Sequence, residues 1–389
     1  MFFYLFSQPV MSQALSPQEW VQHVLSSQPS LDALRAEAEA QDVQSEGVVH
    51  PPPELQMSLS PLSLSPDSPL GVQAQLIQKL PLDLREQRNV VEIKTDIVMA
   101  NQANQTLEIQ RSALYDYTQW LEDCDKWSLS QAHEAILLKH RDAMNARTLS
   151  NKSQLALQLM MESKHAQQKQ ESLRWAGACE ASTKQLQRWS PELDIQQMTP
   201  VVAWPNWADS PQEHPQIEAL ALQESRMEAQ QAIWEKQKLP TPHLLGQVNT
   251  MNHMPDHHWM IGTRLTWTNP KKRRSEQAAL SLNQQAIQAQ QEDVNRQLLS
   301  VQQRSEAGLQ ALHQEYLWLE NETLPRLKSE KEALLALFDS AQIPLASVID
   351  VEHRLLAQRE RQLEILAEAW REYADWSFAT NTLFEEGSP

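Results

Sequence analysis

Glycine is almost missing from this chain, with 7 residues in 389 against an average usage near 7%. Tight turns and left-handed helix caps draw on glycine, so its scarcity excludes a fold of many short elements. Long hydrocarbon runs are missing too. No stretch approaches the roughly 18–20 uncharged apolar residues of a membrane-spanning helix. A chain of this kind could cross a bilayer only with β-strands, whose backbone groups pair with one another. Positive charge is also short. The 33 Lys and Arg stand against 50 Asp and Glu, a formal net charge of −17, which disfavours nucleic acid as a partner. The one basic cluster, Lys271 to Arg274, reads as a solvated or headgroup-facing junction rather than a nucleic-acid patch.

Catalytic signatures are missing as well: no glycine-rich phosphate loop, no G-x-S-x-G, no H-E-x-x-H and no C-x-x-C. The expectation is therefore a protein that is not an enzyme and carries no cofactor. The two cysteines, Cys124 and Cys179, fit no metal motif. Measured from a hairpin tip expected near Arg147, they differ in height by roughly 13 Å at 1.5 Å per residue, so two free thiols are expected.

What fills the chain instead is Ala, Leu, Gln and Glu, all good helix formers. They are organised as a repeat of about 190 residues. In the first half, Ser16-Pro17 supplies an N-cap and a first-turn proline, and a second helix runs from Leu31 to about Gln44. The period then changes to two. Leu55, Met57 and Leu59 alternate with polar residues, and after a turn-rich SPLSLSPDSP segment Val72, Ala74 and Leu76 do the same, which reads as a hairpin. A helix free of Gly and Pro spans Leu84 to Arg147, and another runs from Ser150 to Trp189.

The second half repeats the scheme. His214-Pro215 opens a helix; Leu244, Gly246 and Val248 mark one strand face; Trp259, Ile261, Thr263, Leu265 and Trp267 mark another. A long helix to Phe338 should be kinked by Pro325, and a turn at Ala341–Ala346 leads into a helix from Ser347. The first long helix, at roughly 95 Å, is matched by two shorter ones nearly long enough to lie end to end along it. The spacing of Trp259 and Trp267, roughly 27 Å along a strand, is close to the ~25 Å apolar band of a membrane barrel. Four strands cannot close a barrel, so a membrane reading requires several copies, three giving twelve strands. A small soluble sheet capping a coiled-coil scaffold is the alternative.

At this point the sequence resembles the TolC family of outer-membrane efflux proteins, from Leu15 to about Trp376. The resemblance is carried by Leu324–Trp376, by the strand-to-helix junction Leu265–Ala279, and by the helix starts Gln28-Pro29-Ser30-Leu31 and His214-Pro215-Gln216-Ile217. It implies a mainly α fold with a small β part: long antiparallel helical hairpins plus four transmembrane strands per subunit, in duplicated halves, with a 12-stranded barrel in the trimer. Residues 1–14 would be an atypical or truncated signal segment, with a frayed terminus as the other reading. Residues 15–212 would be the first repeat (strands 54–79, hairpin 84–189, equatorial segment 190–212). Residues 213–378 would be the second (strands 243–268, hairpin 272–378), followed by a tail at 379–389.

The implied role is a passive exit duct in the outer membrane, with its helices in the periplasm, working with a periplasmic adaptor and an inner-membrane pump. Similarity to the heavy-metal branch is the first guess, and an exit duct for type I polypeptide secretion is an alternative. The residues matching adaptor-contact tips are Leu149, Ser150, Ser153 and Leu155, then Leu345, Ser347 and Asp350. The family usually has glycine at these tips, and this chain does not. Ser347 and Asp350 are also spaced to form a capping box. In the barrel, Trp259, Ile261, Leu265 and Trp267 would face lipid and Arg264 the lumen. The tract holding Met251, His253, Met254, His257 and His258 offers soft-metal ligands, or is a surface loop without metal.

Overall fold

A computed structural model describes residues 13–46, 53–61, 70–80, 83–147, 152–195, 198–200, 203–207, 212–250, 258–340 and 342–382. The elements follow in order as β1 (Gln13–Leu15), α1 (Pro17–Ser26), α2 (Pro29–Glu46), β2 (Glu54–Pro61), β3 (Leu70–Lys79), α3 (Leu84–Arg147) and α4 (Lys152–Trp189). Then come β4 (Met198–Pro200), α5 (Pro215–Lys236), β5 (Thr241–Thr250), β6 (His258–Thr266), α6 (Pro270–Trp318), α7 (Leu324–Asp339) and α8 (Leu345–Thr380). Among the described residues no helix is long and apolar enough to cross a membrane.

Local chemistry explains several boundaries. Ser16 caps α1 in a reciprocal box, its Oγ accepting from the Glu19 amide at 3.2 Å while its own amide donates to the Glu19 carboxylate at 2.8 Å. These bonds hold the Glu19 carboxyl below its usual range. Pro325 does not simply kink the long helix of the second half. The chain leaves α6 at Trp318, passes through a π-helical turn, Leu319–Thr323, and resumes as α7 with Pro325 in its first turn. Proline has no N–H to offer the carbonyl four residues earlier, and a widened turn is one way a helix accommodates that loss.

The chain divides into two compact units. The first comprises Met1–Pro29, Gln105–His214 and Gln297–Pro389; the second comprises Ser30–Asn104 and Pro215–Arg296. In the first unit, Trp20 is fully buried and donates through Nε1 to the Ala113 carbonyl at 2.9 Å. Tyr117, also buried, donates to the Leu15 carbonyl at 2.6 Å. Strand β1 pairs in parallel with β4, Gln13 opposite Met198 and Leu15 opposite Pro200. The boundary drawn in the sequence between Ala14 and Leu15 thus falls inside a strand. Three residues are too few to display a period, which is why the strand escaped the pattern.

The cysteines correct the sequence reading. Cys124 and Cys179 form a disulfide, with Cα atoms 4.7 Å apart. Flanking contacts share its register: Trp120 Nε1 donates to Thr183 Oγ1 at 3.1 Å, and Gln185 and Trp189 both donate to the Asp116 carboxylate at 2.6 Å. Helix α3 ends at Arg147 and α4 begins only at Lys152, so the midpoint between the two helices along the chain lies beyond Arg147. That later midpoint removes most of the height difference that excluded a bond.

Candidate membrane-facing sheet and hairpin ends

The second unit holds an antiparallel sheet in the order β2-β3-β5-β6. Its register aligns residues across all four strands. Leu55 stands opposite Leu76, Leu76 opposite Gly246, and Gly246 opposite Ile261. Two positions along, Met57, Ala74, Val248 and Trp259 form the next row. Side chains alternate between faces, so both rows lie on one face. That face is apolar and open: Ile261 is 75% exposed and Met57 71%, with Leu55, Leu76, Leu244, Val248 and Leu265 also exposed. Burying such surface is worth about 25 cal/mol per Å², and a contiguous apolar face of this kind marks a contact with lipid or protein.

The other face carries Gln56, Gln75, Gln247, Arg264 and Thr266, with Arg264 opposite His243. His243 is buried and its Nε2 lies 2.8 Å from Thr266 Oγ1. Three apolar residues share this face: Met260, which is exposed, Ile77, which is buried, and Leu245. Among the described residues, β2 and β6 each pair on one side only. All four strand ends that lead to helices lie on one rim, as the pairings Glu54–Ile77, Lys79–His243 and Thr241–Thr266 establish.

The expected lipid-facing set is placed as follows. Ile261, Leu265 and Trp267 are exposed, and Trp259 is in register with Val248, although its side chain lies outside the described residues. Arg264 is exposed on the opposite face. Of the soft-metal tract, Met251, His253, Met254 and His257 lie outside the described residues, and only the backbone of His258 is described, at the start of β6. Among the described residues no group of three or more His, Cys, Asp or Glu is arranged to hold a metal.

At the hairpin ends, Leu149 and Ser150 lie outside the described residues, while Ser153 and Leu155 fall within α4 with side chains not described. Leu345 is buried in a core with Leu137, Met161, Val348 and Ile349. The capping box expected of Ser347 and Asp350 does not form. Helix α8 starts at Leu345 with Pro344 at its N-cap. Pro344 fixes the helix start two residues early, which leaves Ser347 inside the first turn. The exposed carboxylate of Asp350 reaches forward to Arg354 at 3.2 Å instead.

The sequence reading missed the charged links within the first unit. Lys126 on α3 sits 2.9 Å from both Glu122 and Glu364, and Arg371 reaches Glu122 at 2.6 Å. These partners hold the Glu122 carboxyl below its usual range against the opposing effect of burial. Arg361 pairs with Glu315 at 2.9 Å. The Glu122–Lys126 spacing of four residues was visible in the sequence, but nothing local points to Glu364 or Arg371. Also missed was an aromatic cluster in which Trp204 stacks on His313, with centroids 4.9 Å apart, beside Trp207 and Tyr316.

The pattern defines a class of fold: long helical hairpins joined to a four-stranded antiparallel sheet with one apolar face. Solved structures share it. The outer-membrane channel OprN matches with a TM-score of 0.75 at 11% identity, covering 96% of this chain and 90% of that one. The outer membrane protein VceC from Vibrio cholerae matches at 0.74 and 12%, covering 95% and 97%. The Neisseria gonorrhoeae MtrE outer membrane channel, in its open state, matches at 0.73 and 14%, covering 94% and 88%. No family model matches the chain, and no curated protein sequence matches it. The chain has the fold of these outer-membrane channels over nearly its whole length.

Proposed function

We propose that this chain is one subunit of a homotrimeric outer-membrane exit duct, a passive channel of a tripartite efflux system. The observation that carries this reading is the sheet: an exposed apolar face in continuous register across four strands whose outer edges are unpaired among the described residues. Open edges are not tolerated in lipid, and four strands do not close. Three copies supply twelve strands, apolar outside and polar within, with Arg264 lining the lumen. The two halves, 15–212 and 213–378, each contribute a strand pair and a helical hairpin to this object.

The disulfide supports the same compartment, because such bonds persist in oxidising spaces such as the bacterial periplasm. The hairpin ends at Leu149, Ser150, Ser153, Leu155, Ser347 and Asp350 are the surfaces offered to a periplasmic adaptor. With Leu345 in the core beneath it, Asp350 presents the exposed charge of the second end. An inner-membrane pump supplies the energy and selects the small molecule or metal ion, since a wide aqueous duct has little means of choosing.

Fractionation of cells making the full chain tests the proposal. Expected is a trimer in the outer-membrane fraction that dissociates to monomer on heating. Recovery as a soluble oligomer would return the chain to the scaffold reading.

A further inference from the structure

We propose that Lys271, Lys272, Arg273 and Arg274 form a docking surface for anionic phospholipid headgroups at the helix-side rim of the sheet, an inference that rests on the membrane reading above. Four consecutive cations are out of keeping with a chain of net charge −17. They follow β6 after residues 267–270 and lie at the start of α6, on the rim where all four strands adjoin helices.

Ion pairing within the described residues does not account for the run. In the same unit, Lys79 pairs with Glu54, Lys236 with Glu86, Lys238 with Glu235 and Arg88 with Glu92. Among the described residues none of the four cations from Lys271 to Arg274 lies within ion-pair distance of a carboxylate. Lys271, Lys272 and Arg274 are exposed, and the Arg273 Nε is shielded from solvent without an acceptor.

Nor does the run serve its helix. Positive charge at a helix N-terminus opposes the macrodipole. Capping there is already provided by Asn269, whose side chain accepts from the Lys271 amide at 3.0 Å and whose carbonyl accepts from the Arg273 amide at 3.1 Å. The four cations are therefore a local electrostatic cost that an external anion would offset.

What precedes them says which anion. Along the chain Ile261 and Leu265 on the apolar face lead to Trp267, 71% exposed, and then to the cations. Leu239, exposed just before β5, adds apolar surface at the same rim. Hydrocarbon, aromatic ring, then positive charge is the order met on leaving a bilayer through its interface into an anionic headgroup layer. A soluble polyanion would account for the charges and leave Trp267 and Leu239 without a reason.

The test uses the full-length protein and vesicles made of phosphatidylcholine alone or with about 30% phosphatidylglycerol, a load that gives a marked negative surface. Flotation would compare wild type, the neutral variant K271Q/K272Q/R273Q/R274Q, and the charge-keeping variant K271R/K272R/R273K/R274K. Expected is a gain in bound wild type of about tenfold or more on adding the anionic lipid. The charge-keeping variant should retain that gain, and the neutral variant should lose it while still entering neutral vesicles. An equal gain in the neutral variant, or no gain in wild type, would overturn the headgroup proposal alone. Failure of wild type to enter either vesicle would overturn the membrane reading beneath it.

Discussion

Arg304 on α6 donates to Asp375 on α8 at 2.7 Å, and Asp375 is only 6% exposed while Arg304 is 63% exposed. Arg111 on α3 reaches the other carboxylate oxygen, also at 2.7 Å, and Tyr115 donates to it at 2.9 Å. One buried carboxylate thus joins three helices. Asp375→Ala leaves two guanidinium groups and a hydroxyl without their acceptor and should cost about 2–4 kcal/mol. Arg304→Ala removes a donor that water can largely replace and should cost under about 1 kcal/mol. Thermal or denaturant unfolding of the two variants would measure the asymmetry, and equal losses would contradict it.

Strand orientation predicts a second asymmetry. Ile261→Arg would place a guanidinium on the apolar face, at about 2–4 kcal/mol near the bilayer midplane, and should deplete assembled trimer. Arg264→Ala changes the opposite face and should leave assembly intact, altering conductance at most. Trimer recovered from membranes expressing each variant is the readout. The reverse outcome would mean that the faces are exchanged.

Cys124 and Cys179 close a loop of 55 residues. Replacing both with Ser should lower stability by about 2–4 kcal/mol. Alkylation of the denatured, unreduced protein should find no free thiol. Quantitative labelling of both cysteines would argue against the bond.

Acid and base act in opposite senses on two half-buried groups of the first unit. Burial, with His353 stacked edge-on 4.7 Å away, pushes His133 from 6.5 down to about 4. The unfolded chain takes up that proton first, so the stability due to neutral His133 is present above pH 6.5 and lost as pH falls through about 4. Burial pushes Asp125 from 3.8 up to about 6, so its contribution is present below 3.8 and lost as pH rises through about 6. Asp125→Asn should therefore raise the melting temperature at pH 8 (an alkaline condition, about two units above that value), with the gain shrinking as the buffer is acidified. His133→Gln should flatten the acid side of the profile. Melting curves across a pH series would show both, and a gain for Asp125→Asn that persists unchanged into acid would count against the assignment.

Much of the fold was legible because its signals are long or paired. The limits of α3, Leu84 and Arg147, could be read from an uninterrupted run of helix formers ending in a turn. The four sheet strands could be read from alternation alone. The π-helical turn at Leu319–Thr323 was half legible, since Pro325 announced a disturbance without giving its form. The disulfide was misread because a small error in the turn is carried along both helices to Cys124 and Cys179. At the site, Ile261 and Leu265 followed from period two, whereas Lys126–Glu364 and Arg304–Asp375 join distant segments whose meeting no local pattern reports. Ser347 failed as a cap for a simpler reason: Pro344 had already set the start of α8.

The pairing of β3 with β5 also has a consequence for how the sheet is reached during folding. Strand β3 lies close to β2 in the chain, but its other neighbour, β5, lies beyond the whole of α3, α4 and α5. Until that pair forms, the first hairpin has an apolar face and a free edge, the combination most prone to wrong association. Helices form locally and quickly, whereas strands so far apart in sequence meet slowly. The encounter of Leu76 with Gly246 is therefore the kind of distant pairing expected to come late in folding, and apolar surface stays uncovered until it is made.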